Sequence, residues 1–130
     1  MRDLQDFVKD YVAALSGPHA DDAWHSLVEA GPAALPYLVE EYNASRDPAV
    51  RLALVEIVGE YRSADATAFL VTCLQNGDGD IWKVALDGLV SLGGRAALDV
   101  LSVARETASP RKREWIEEAV EQIRQASRPG

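Results

Sequence analysis

A single cysteine, Cys73, occurs in the 130 residues, so no disulfide can close within the chain. Its neighbours at helical spacing put it on an apolar face, where it reads as a small core residue in a reducing compartment. Histidine is nearly as scarce: His19 and His25 are the two. With no thiolate beside them, His19, Asp21, Asp22 and His25 make a poor metal site, and Asp21 and Asp22 read more simply as first-turn acids complementing a helix dipole. No apolar run approaches the ~20 residues needed to cross a bilayer. Met1-Arg2-Asp3-Leu4 also lacks the apolar stretch and cleavage site of a secretion signal, so the expected location is the cytoplasm.

Catalytic apparatus is missing as well. There is no Ser-His-Asp order around a strained nucleophile turn, no phosphate-cradling glycine loop opening a helix, and no carboxylate pair in an identifiable pocket. Asn76, Asp78, Asp80 and Asp87 fall at positions 1, 3, 5 and 12 of a calcium loop, but Ile81 stands where the turn needs glycine and Asp87 where a bidentate glutamate belongs. A capped turn explains them better. The chain is therefore expected to be no enzyme and to carry no cofactor and no metal.

Acid is abundant, with 21 Asp and Glu against 13 Lys and Arg and a net charge of -8. Residues 1–94 hold 15 acids and 6 cations, whereas residues 95–130 hold 6 and 7. An acidic body repels phosphate backbones and anionic lipid, which argues against nucleic acid or membrane as partner and favours a basic protein surface. At 48% hydrophobic residues with scattered charge, the chain is unsuited to disorder. A domain of this length buries roughly two thirds of its unfolded surface, enough for one core.

The apolar residues recur at three- and four-residue spacing. Asp47-Pro48 is a helix start, because the carboxylate can accept from first-turn N–H groups and proline suits the first position. Val50, Leu54, Ile57, Val58 and Tyr61 then mark one face. After a polar break at Arg62-Ser63-Ala64-Asp65, with Asp65 as the expected second cap, Ala66, Phe69, Leu70, Cys73 and Leu74 resume the pattern. Asn76-Gly77 is expected to stop it in the left-handed conformation. A pair of this kind cannot bury both apolar faces alone. Gly31-Pro32-Ala33-Ala34-Leu35-Pro36-Tyr37-Leu38 matches Gly94-Arg95-Ala96-Ala97-Leu98-Asp99-Val100-Leu101, and Val50-Arg51-Leu52-Ala53-Leu54 matches Trp82-Lys83-Val84-Ala85-Leu86. A period of about 30 residues built from two helices is that of an α-solenoid.

The expected fold is therefore all-α. A cap helix over residues 1–16 precedes helical hairpins over 20–44, 47–76 and 80–107, and a second cap helix covers 109–127. Trp24, Trp82 and Trp115 fall at core-like positions in three units, and Arg128-Pro129-Gly130 is expected to fray.

Asp47-Pro48-Ala49-Val50-Arg51-Leu52-Ala53 resembles the opening of the short HEAT-like repeats, and the resemblance covers roughly residues 20–126 in more degenerate form. It implies that Arg51, Lys83 and Arg113 build a ladder between units with Asp47 and Asp80. It also implies that the second helices line a concave, partner-holding face, where Tyr37, Glu40, Glu41, Asn43, Thr72, Gln75 and Glu106 would stand. Aromatic and carboxylate side chains suit the capture of Arg and Lys on another protein. The expected function is a non-enzymatic interaction module holding a basic protein or peptide, in its sharper form an immunity-type inhibitor of a toxin. The alternative is an accessory or lyase-type protein of a chromophore-attachment or other enzyme system, since similar repeats occur there.

Overall fold

The computed structural model describes residues 3–126, so the expected fraying of Arg128-Pro129-Gly130 lies outside the described residues. Eight α-helices make up the described chain: α1 (Leu4–Ala14), α2 (Ala20–Ala30), α3 (Leu35–Ala44), α4 (Pro48–Glu60), α5 (Thr67–Asn76), α6 (Ile81–Leu92), α7 (Gly94–Thr107) and α8 (Pro110–Ala126). Among the described residues there is no strand.

Polar side chains start several of these helices by occupying otherwise unpaired first-turn N–H groups. Asp3 Oδ1 accepts from the Asp6 amide at 2.9 Å, and Asp47 Oδ1 accepts from the Ala49 amide at 3.0 Å just before Pro48. Before α5 the cap is Ser63, whose hydroxyl accepts from the Asp65 amide at 3.2 Å, so the role expected of Asp65 falls two residues earlier. The single 3-10 turn Ala64–Ala66 accounts for the shift, because it tightens the chain ahead of the α-helix proper. Gly77 also departs from expectation, since it is extended (φ -69°, ψ 135°) rather than left-handed. Its lack of a side chain is required by space: a Cβ there would run into the Cys73 carbonyl oxygen and lie 2.8 Å from Ile81 Cγ2.

The helices stack in two layers, with α2, α4, α6 and α8 successively adjacent in one and α1, α3, α5 and α7 in the other. One continuous core runs from Val8 in α1 to Ile123 in α8, with no polar or charged residue among the buried ones described. Burial of this kind contributes roughly 1.5–3 kcal/mol per large aliphatic side chain, which is why each hairpin depends on its neighbours. The tightest crossing is between α4 and α6. A Cβ on Gly59 would stand 3.1 Å from the Gly88 Cα, and a Cβ on Gly88 would meet Gly59 Cα at the same distance. In the other layer the α3 and α5 backbones stay farther apart and are bridged by side chains.

Two expectations about packing are corrected. Trp82 is buried and Trp24 half-buried, but Trp115 is 41% exposed. Nothing beyond α8 among the described residues covers that ring, so it meets Trp82 edge-on at 5.6 Å and leaves its other side open. The ladder between units does not form either. Asp80 pairs with Lys83 of its own first turn at 3.6 Å, while Arg51 lies 4.2 Å from the Tyr42 ring centroid and Lys83 5.0 Å from that of Trp115. Arg113 turns to the Ala108 carbonyl at 3.5 Å. For Arg51 the Tyr42 ring of the preceding helix takes the place of a carboxylate, whereas Lys83 keeps the acid of its own turn and also faces Trp115 of α8.

Other polar ties join the helices. The Tyr61 hydroxyl donates to the Leu27 carbonyl at 2.7 Å, satisfying a last-turn oxygen of α2. Lys112 Nζ donates to the Leu74 and Gln75 carbonyls at 3.0 and 3.3 Å, so α8 caps the end of α5. Arg105 holds Glu117 Oε1 through Nε and Nη2, both at 2.8 Å, and thereby links α7 to α8.

Candidate functional site

The separation of α3 from α5 leaves an open groove of about 510 Å³. Its floor is apolar because both helices turn a stripe inward at helical spacing: Leu35, Val39 and Tyr42 from α3, Ala68 and Phe69 from α5. The Tyr42 and Phe69 rings meet edge to face at 5.1 Å and join the two walls. Asn43, Thr72 and Asn76 form a polar rim, and Asp65 and Arg51 supply one charge of each sign.

Tyr42 is the hub of this groove. Its ring lies under the Arg51 guanidinium, and its phenol stands beside the Cys73 thiol. Burial, reinforced by the neighbouring Cys73, pushes the Tyr42 phenol above its ordinary range, and burial likewise pushes the Cys73 thiol up. The thiol is thus a protonated, buried group rather than a nucleophile. Arg51 Nε is buried without a hydrogen-bond acceptor, and among the described residues no carboxylate pairs with the guanidinium.

Asn76 also lines a second depression of about 510 Å³ where the ends of α5 and α7 meet the start of α8. Gln75, Thr107 and Lys112 lie along it, the last fixed by its bonds to the α5 carbonyls. On the opposite face the Gly59–Gly88 crossing leaves a shallower depression of about 240 Å³ flanked by Glu56, Glu60 and Asp87. The Glu56 carboxyl is pushed up, first by burial and then by the nearby Glu60 charge.

Of the residues expected to face a partner, Asn43 and Thr72 line the α3–α5 groove and Gln75 lines the second depression. The Thr72 hydroxyl already donates to the Ala68 carbonyl at 3.0 Å, leaving its lone pairs for an incoming donor. Tyr37, Glu40, Glu41 and Glu106 line neither depression; Glu40 and Glu106 are exposed, whereas Tyr37 and Glu41 are partly buried. Sequence reasoning assigned Arg51 to a structural ladder and Phe69 to the core, and so missed both as groove residues. Periodicity marks which residues turn inward, but a gap between two inward-facing helices leaves the same pattern as close packing. The trio of Glu56, Glu60 and Asp87 was also missed, although Glu56 and Glu60 share a face at i, i+4.

Among the described residues no three of His, Cys, Asp and Glu are grouped so as to hold a metal ion, and no helix is long and apolar enough to cross a membrane. Comparison with curated proteins and with solved structures found none that matches. The family model of HEAT repeats matches residues 35–121, which takes in α3 to most of α8 and includes every wall of the groove. Two stacked layers of paired helices, a single core shared from unit to unit and that match over most of the chain lead to one conclusion: the protein belongs to the HEAT repeat family.

Proposed function

We propose that the chain is a non-enzymatic module that binds a basic protein or peptide, using the α3–α5 groove as its seat and the surrounding acidic surface to attract the partner. HEAT repeats generally mediate protein–protein interaction, and the family is typically a scaffold. The observation that carries the reading is the open groove with an apolar floor and a polar rim on a chain of net charge -8. Apolar area supplies the binding free energy, while opposite charge accelerates encounter and excludes acidic competitors. Glu40, exposed on α3, and the half-exposed Glu41 belong to one of the two helices that line the groove and add to that field. A cytoplasmic inhibitor of a basic toxin, of the immunity type, is the form of this function that the charge suits best.

Affinity capture from the source cells on immobilised protein, followed by mass spectrometry, tests the reading. A basic protein should be retained at low salt and released steeply as salt rises. Charge reversal at Glu40 and Glu41 together should weaken capture roughly tenfold by slowing association, with an unchanged circular dichroism spectrum. Retention that ignores both salt and the reversal would remove the acidic surface from the account.

A further inference from the structure

The α3–α5 groove is lined by a charge that makes no ion pair within the described fold, although Asp78 and Asp80 border a neighbouring depression with it. Arg51 is drawn into the groove by the Tyr42 ring at 4.2 Å, and its Nε is shielded from solvent without an acceptor. Asp65 is the carboxylate that lines the groove, and it makes no ion pair with Arg51. A guanidinium stacked on an aromatic ring presents its edge in a fixed plane, which suits a carboxylate better than any other protein group. Beside it, Val39 and Phe69 are half-buried apolar side chains that an incoming apolar group could finish covering.

From this arrangement we infer that the groove recognises a partner segment in which an apolar side chain is followed by an aspartate or glutamate, the apolar group covering Phe69 and Val39 and the carboxylate pairing with Arg51. The inference rests on the reading of the groove as the partner seat and sharpens it. Within a partner that is basic overall, the anchor itself carries the opposite sign. The carboxylate is placed on a side chain within the segment, since the groove is open and a second depression bordered by the same Asn76 lies next to it. Such a pairing also explains selectivity: a segment with lysine at that point would leave two like charges facing each other across the groove, which costs affinity.

The test uses short capped peptides as probes and nuclear magnetic resonance as the readout. N-acetyl-Phe-Glu-amide, N-acetyl-Phe-Lys-amide and N-acetyl-phenylalanine with a free carboxylate are titrated separately into the labelled full chain. The glutamate peptide should produce saturable shifts at the Arg51 Nε–H and at the amides of Val39, Phe69 and Thr72, with a Kd roughly fivefold or more below that of the lysine peptide. Arg51→Gln should abolish that difference while leaving weak apolar binding. The comparison of peptides on the unaltered chain stands even if this variant folds poorly. Equal or tighter binding of the lysine peptide, shifts confined to another face, or no shifts at millimolar probe would overturn the inference. Tighter binding of the free-carboxylate probe would replace the internal segment with a chain end and overturn it in that respect. Peptide selectivity can fail while a basic partner is still captured, or hold while capture fails, so the two proposals fall separately.

Discussion

Replacing Gly59 or Gly88 with alanine should destabilise the protein, although the same change in an exposed helix does the opposite. Alanine is favoured over glycine by about 1 kcal/mol in a helix interior. Against that gain stands the α4–α6 crossing, where the new methyl would lie 3.1 Å from the Cα of the facing helix, well inside the ~3.5–4.0 Å of a relaxed carbon contact. Backbone faces backbone, so no rotamer change at Gly59 relieves the overlap and the helices must part by several tenths of an ångström. Gly88 adds the Leu70 methyl groups at 3.3 Å. Overpacking of this kind costs about 1–3 kcal/mol, and parting the helices also loosens the surrounding buried Leu54, Ile57 and Leu89. After the propensity gain, a net loss of up to about 2 kcal/mol is expected for each single variant, a fall in Tm of up to roughly 8 °C. The double variant should lose more than the sum, because its two methyls would meet each other. Urea titration followed at 222 nm, with a matching thermal scan, measures both quantities. Variants as stable as the parent, or more stable, would show that α4 and α6 do not approach at this glycine pair.

Other outcomes follow from single contacts. Tyr61→Phe removes the donor to the Leu27 carbonyl and should cost about 1–2 kcal/mol in a urea titration, with little change in circular dichroism. Burial pushes the Tyr61 pKa up to about 12, so the fold prefers the neutral phenol. In the unfolded chain tyrosine ionises near pH 10, and the stability due to this group should be complete below pH 10 and decline as pH rises towards 12. Alkaline titration of tyrosinate absorbance should show Tyr61 ionising last, and Tyr61→Phe should flatten the decline. Lys112→Met removes both bonds to the end of α5 and should cost about 1–2 kcal/mol, with faster amide exchange concentrated in α8.

The all-α solenoid was legible because its evidence is local and repeated. Asp47-Pro48 with Val50, Leu54 and Ile57 states both a helix start and the face it buries, and the matching octapeptides at Gly31 and Gly94 show that the unit recurs. The errors fall where one unit meets another. Trp115 has the spacing of a core residue, but burial needs a covering element, and α8 is the last helix described. Arg51 and Asp47 have the spacing of a ladder, yet the Tyr42 ring reaches the guanidinium first. Gly77 looked like a left-handed stop and is extended, its size set by Cys73 and Ile81.

By itself, the order of residues determined the helical character, the repeat length and the inward stripe of each helix, since those depend on interactions three or four residues apart. Tertiary structure alone decided that α4 and α6 close on two glycines while α3 and α5 stand apart. It also decided that Arg51 lies over the Tyr42 ring at the edge of that groove and makes no ion pair among the described residues. Distances between helices depend on which side chains meet across a gap of thirty residues, and no local spacing encodes that meeting.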